Sequence, residues 1–243
     1  MARPVLVRLF AGIVLTAVLV VSAAAPLLRA ASDELTVTRA DFASIGRLAP
    51  DVLDLALGAS ACAVRAGAAA LPATLTVIDY SLPSTAKRLW VFDLVAKRLL
   101  YEELVAHGSG SGANVPTAFS NTPDSHQTSL GLFITDRSYV GKNGYSLRMD
   151  GLDPGFNDRA RERAIVIHGA PYVDPSLAQA QGRIGRSWGC PAVRPAVARQ
   201  LIDRVAGGGM VFAYYPDSKF LKGSKFVQCA AAAASATPAA AAR

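Results

Sequence analysis

The stretch "GRSWGCPAV", residues 185–193, sets Cys190 between Gly189 and Pro191, and "AIVIHGA", residues 164–170, sets His168 at the end of an apolar run. A thiol and an imidazole are sufficient for nucleophilic acyl chemistry, because the imidazole removes the thiol proton and the thiolate attacks a carbonyl. Gly185 and Gly189 permit backbone angles that other residues resist, and Pro191 stiffens the exit of the turn. Such a turn can present a thiol beside backbone N–H groups suited to an oxyanion. The competing readings are structural: half of a disulfide for Cys190, and a hydrogen-bonded strand-end group for His168. If the two side chains meet, the nearby imidazolium is expected to lower the thiol pKa.

The chain has three cysteines, Cys62, Cys190 and Cys229. An odd number leaves either an intermolecular bridge or one free thiol. Their spacing matches no zinc pattern, and no metal is expected. Cys62 and Cys229 lie on opposite flanks of the central region and can pair, leaving Cys190 free; whether they do depends on geometry that spacing does not supply.

Elements that can position these residues follow from periodicity. "APDVLDLALGASACAVRAG" predicts a helix, with Pro50 in the first turn and Gly67 after the end. From residue 74 the period shortens. "TLTVIDY", "RLWVFDL", "LLYEELVAHG", "SLGLFITD", "GYSLRMDG" and "RAIVIHGA" predict strands separated by turn sequences such as "GKNG" and "DPGFND". "RPAVARQLIDRVAGGG" predicts an amphipathic helix and "MVFAYY" a returning strand. Strand ends hold side chains on rigid backbone with their tips accessible, which suits His168.

At the N-terminus, Arg3 and Arg8 precede the apolar "LFAGIVLTAVLVV" and the small residues "SAAAP". This is the pattern of a secretory signal, and the run is short of the roughly 20 residues of a stable span. Export to the periplasm or cell wall is therefore expected, with membrane contact only through the signal. The formal net charge of the 243 residues is +7, and residues 1–30 contribute Arg3, Arg8 and Arg29 to it and no acid. The remaining basic excess has no aromatic-interleaved cluster of the kind nucleic-acid binders use. The organisation expected is a signal at 1–30, a helical segment at 31–73, a catalytic domain at 74–217 and a low-complexity, unpacked tail at 218–243.

These residues resemble the YkuD-type L,D-transpeptidases of bacterial cell walls, most closely the subgroup described as murein L,D-transpeptidase catalytic domain proteins. The family signature is His-Gly at a strand end, a variable loop, then Ser/Thr-x-Gly-Cys. It is matched by His168-Gly169 and Ser187-Trp188-Gly189-Cys190, within a likeness over roughly residues 75–216 that includes "LPSTAKRLWVFDL", "VAHGSGSG" and "GYSLRMDGLDPGFNDRARERAIVIHGA". The resemblance implies a mainly β domain, a YkuD-like β-sandwich, with one packed helix. It implies Cys190 as nucleophile, His168 as base oriented by the Gly169 carbonyl, and the amides of Gly189 and Cys190 as oxyanion donors. The substrates implied are peptidoglycan stem peptides, with a second stem or a wall-attached lipoprotein supplying the acceptor amine, and no cofactor.

Commoner members carry an arginine two positions after the cysteine, where this chain has Ala192, with Arg194 following; Trp188 stands where a basic residue or histidine is usual. Arg148, Arg183 and Arg186 are the candidates for binding donor carboxylates, since a guanidinium can hold one bidentately. Tyr145, His107 and Asn157, with Ser187 and Trp188, complete the candidate substrate site. His126 is expected to be an exposed loop residue. A hydrolase on the same scaffold, or an inactive wall-binding domain, remains the alternative to a transpeptidase.

Overall fold

The computed structural model describes residues 34–236; the expected signal at 1–30 and the end of the tail, 237–243, lie outside the described residues. Among the described residues, no helix is long and apolar enough to cross a membrane. The first helix, α1 (Pro50–Arg65), starts on Pro50 and carries Asp51 in its first turn and Arg65 in its last, the order the helix dipole favours. It buries Val52, Leu53, Ala56 and Leu57. Of the segment at 31–73, the described part before α1 is a single 3-10 turn, Arg39–Asp41, in otherwise irregular chain.

Among the described residues nine strands follow: β1 (Thr74–Asp79), β2 (Leu89–Asp93), β3 (Arg98–Glu103), β4 (Val105–Ala106), β5 (Gly131–Gly141), β6 (Gly144–Gly151), β7 (Val166–Gly169), β8 (Ala192–Val193) and β9 (Met210–Tyr214). They form one hydrogen-bonded sheet in the order β3-β2-β1-β9-β5-β6-β7-β8-β4. The strands thus form one continuous sheet rather than two separately hydrogen-bonded sheets. The two outermost strands, β3 and β4, are consecutive in sequence and separated by Leu104 alone, so the sheet curls until its ends meet and approaches a barrel. "LLYEELVAHG", read as one strand, is two strands divided at Leu104. The two ends are held together by Arg194, which follows β8 and donates to both oxygens of Glu103 on β3 at 2.9 and 2.7 Å.

The helices beyond α1 are α2 (Pro175–Gln181), α3 (Pro195–Val205), α4 (Ser218–Gly223) and α5 (Lys225–Ala236). The amphipathic helix α3 buries Ala198, Leu201, Ile202 and Val205 and packs beside β7. Residues 218–236 are helical and packed, contrary to the expected unpacked tail. Phe220, Phe226 and Val227 supply the apolar area that the alanines lack, and Asp217 caps α4 by accepting the Phe220 N–H. α5 lies on α1, where a Cβ on Gly58 would come within 2.8 Å of the Ala230 Cβ, so the glycine sets the close approach. Cys62 and Cys229 join these two helices in a disulfide, leaving Cys190 as the free cysteine among the described residues.

Candidate active site

The turn carrying Cys190 is built on its neighbours. Ser187 forms a parallel bridge with Gly108; its N–H donates to the His107 carbonyl at 2.9 Å, and its carbonyl accepts the Ser109 N–H at 2.7 Å. Within the turn, Ser187 Oγ donates to the Cys190 carbonyl at 2.6 Å and accepts the Gly189 N–H at 3.1 Å. Gly189 has φ +114°, and a Cβ there would meet the Gln127 carbonyl at 2.8 Å, so only glycine fits. The Gly189 amide, expected as an oxyanion donor, is thus already engaged by Ser187.

His168 and Cys190 are brought together by β7 and β8. These strands pair in parallel with His168 opposite Ala192, two residues after Cys190, and the N–H of Val166, two residues before His168, reaches the Cys190 sulfur. Side chains two apart along a strand share a face, so thiol and imidazole fall on the same side. Both line a cleft of about 490 Å³ with Gly169, Ala170, Pro171, Tyr172, Arg186, Ser187, Trp188, Lys142 and Asn143. His168 Nδ1 donates to the Gly169 carbonyl at 3.1 Å, which leaves Nε2 as the basic nitrogen.

The electrostatics differ from expectation. Cys190 is 7% exposed. Burial pushes its thiol up from the ordinary range, opposed by the Val166 N–H and the Arg163 charge. Burial likewise pushes the His168 imidazole down. Desolvation penalises both charged forms, so burial favours the neutral thiol and the neutral imidazole over the ion pair. Cys190 Sγ–H points at the Ala164 carbonyl, 3.7 Å away.

Of the other expected site residues, Arg186, Ser187 and Trp188 line the cleft, whereas Arg148, Arg183, Tyr145, His107 and Asn157 do not. Arg186 lines the cleft while donating to the Gly112 carbonyl at 2.8 Å. Arg183 donates to the Ile184 carbonyl, and Arg148 lies over the Tyr139 ring in a separate hollow; neither lines the cleft. Tyr145 packs against α3 rather than beneath the Cys190 turn: its hydroxyl donates to Asp203 and its ring faces Arg199. Asn157 is buried, bonded to the Leu132 carbonyl and the Asp153 N–H, where it fixes a turn. Arg194 is held by Glu103. Trp188 is 75% exposed and stacks on His126, which is half-buried by the contact rather than free. Lys142, Asn143 and Tyr172 went unnoticed in the sequence; the "GKNG" hairpin tip signalled a turn, but nothing in it signalled which turn would hang over the cleft.

His107 is fully buried and outside the cleft. The buried Arg88 donates to its Nδ1 at 2.7 Å and to the carbonyls of Val105 and Leu82, so the ring is neutral with its proton on Nε2, toward the Gly112 carbonyl. Burial, then the Arg88 charge, brings its pKa down from 6.5 to about 4. The unfolded chain therefore takes up a proton in a window where the folded chain does not. Stability is expected to be full above pH 6.5 and to fall by about 3 kcal/mol as pH drops through 4. Chemical unfolding at pH 7 and pH 4.5 measures this, and His107→Gln should flatten the dependence.

Fold and site together define a mostly β domain that presents a thiol and an imidazole in one cleft. The family model for the L,D-transpeptidase catalytic domain matches residues 45–214, and the chain belongs to that family. Among solved structures, the chain is similar to an L,D-transpeptidase from Mycobacterium smegmatis, at 16% identity over 59% of each chain and a TM-score of 0.36. It is also similar to the helical cell shape determining protein Pgp2 from Campylobacter jejuni, at 13% identity over 67% of this chain and 54% of that one, with a TM-score of 0.40. A third likeness is to an L,D-transpeptidase from Stackebrandtia nassauensis, at 14% identity over 68% of each chain and a TM-score of 0.38. The chain spans 59% of the length of the first of these. No curated protein matches it.

Proposed function

We propose that this chain is an exported peptidoglycan L,D-transpeptidase in which Cys190 is the nucleophile and His168 the base. The observation that carries the reading is that thiol and imidazole line one cleft in a domain of this family. The Cys190 proton passes to His168 Nε2, and the thiolate attacks the carbonyl of the third residue of a donor tetrapeptide stem. The resulting oxyanion falls to the Cys190 amide. Collapse breaks the bond to the terminal D-alanine, whose amine takes the proton from the imidazolium, and a thioester remains. An acceptor amine, from a second stem or a wall-attached lipoprotein, attacks the thioester, returns its proton through His168 and frees the thiolate. Arg186 and Lys142 both line the cleft, and we assign the donor carboxylates to them, with Arg186 turning from the Gly112 carbonyl to do so.

The test is incubation of the mature protein with disaccharide-tetrapeptide and separation of products by mass. Crosslinked dimer, or product in which D-alanine is exchanged for an added D-amino acid, is the expected result. Tripeptide alone would replace this reading with a hydrolase, and unchanged substrate with a wall-binding domain.

A further inference from the structure

Burial works against the thiolate–imidazolium pair from both sides, so the site needs a fixed positive field that is not itself a proton acceptor. The groups that face the thiol are His168 from β7, Tyr172 from the segment after it, Tyr80 from the end of β1, Arg186 across the cleft and Arg163 from the turn before β7. No carboxylate is among them. The two tyrosines become anionic only far above neutral pH, Tyr172 because burial and the Cys190 charge push it up to about 12. Arg186 is turned to the Gly112 and Ser109 carbonyls.

Arg163 is different. Its guanidinium donates to the carbonyls of Ser120 and Gln127, at 2.6 Å each, and to the hydroxyls of Ser129, at 2.5 Å, and Ser125, at 3.2 Å. Every one of these acceptors is neutral. The charge is therefore held in place without being cancelled. The same bonds fold residues 120–129 against the Cys190 turn, where the Gln127 carbonyl abuts Gly189. Arg163 Nη2 lies 3.4 Å from the point that a Cβ on Gly189 would occupy, one residue from the nucleophile. The next residue, Ala164, adopts φ +52°, a left-handed conformation costly for alanine. That kink accompanies a division of labour: the Arg163 side chain goes to the serine-rich loop, and the Ala164 carbonyl goes to Cys190 Sγ.

We infer that Arg163 is a positioning residue that supplies the fixed positive charge stabilising the Cys190 thiolate, while its hydrogen bonds hold the residue 120–129 loop against the Cys190 turn. The mutual influence runs both ways, since burial lowers the Arg163 pKa and the Cys190 charge raises it. This deepens the reading of Cys190 as nucleophile and rests on it. Iodoacetamide nevertheless reads thiolate formation without any wall substrate, so failure of one is distinguishable from failure of the other.

The experiment is the pH profile of Cys190 alkylation by iodoacetamide in the folded mature protein. Arg163→Gln is expected to move the profile up by about one pH unit or more, slowing alkylation at pH 7 roughly tenfold. Arg163→Lys, which keeps the charge and loses most of the fork of hydrogen bonds, is expected to recover most of the shift. Ser125→Ala with Ser129→Ala loosens the loop and leaves the charge, and should leave the profile in place. An unmoved profile in Arg163→Gln, equal shifts in the Gln and Lys variants, or a shift in the serine variant would each overturn the charge role. If Arg163→Gln does not fold, Arg163→Met, which also removes the charge, takes its place with the same expected and overturning outcomes.

Discussion

Cys190→Ser is expected to abolish acylation by the tetrapeptide donor of the proposed reaction, while leaving the melting temperature near that of the parent. The substitution changes one atom in a turn whose hydrogen bonds come from Ser187 and the backbone, so the scaffold has little reason to move. His168→Ala should slow acylation by about 10²- to 10⁴-fold, the usual worth of a positioned base. Because the thiol is pushed up and the imidazole down, the parent rate should rise with pH through the neutral range as the thiol ionises. Intact-protein mass spectrometry across pH 6 to 9 gives the three acylation results, and thermal unfolding gives the melting temperature. Acylation of either variant at the parent rate would remove its residue from the mechanism.

The second large effect is on stability. Cys62 and Cys229 close a loop with a sequence separation of 167, and the chain-entropy account of such a loop predicts about 5 kcal/mol of stabilisation. The double variant Cys62→Ala, Cys229→Ala should lose most of that in urea unfolding, and reductant should reproduce the loss in the parent but leave the variant unchanged. Neither cysteine lines the cleft, so alkylation of Cys190 in the surviving folded fraction should keep its rate. Equal unfolding midpoints for parent and variant would mean that the packing of α5 on α1 suffices.

Legibility in the sequence followed the range of the interactions involved. β6 and α3 are plain in "GYSLRMDG" and "RPAVARQLIDRV" because alternation and helical period are local properties. β8 is two residues long and exists only because β7 and β4 flank it, so no pattern announces it. The packed α5 hides in an alanine-rich stretch whose few bulky residues become meaningful only against α1. At the site, the two reactive side chains are visible from residue type and the glycines around them. Lys142, Tyr172 and Arg163 are not, since their relevance comes from chain segments meeting in space. Of the three arginines selected from sequence for their chemistry alone, Arg186 lines the cleft, while folding sends Arg148 and Arg183 each to a different partner.

The Leu104 crossing and the Arg194–Glu103 pair also bear on how the protein behaves in a crowded compartment. A sheet with "RLLYEEL" along its rim would ordinarily offer a template to another unfolded chain. Here the rim strand ends in acidic residues engaged by Arg47 and Arg194, and the opposite rim is a strand only two residues long. Charge at one rim and brevity at the other thus guard the seam against pairing with another chain.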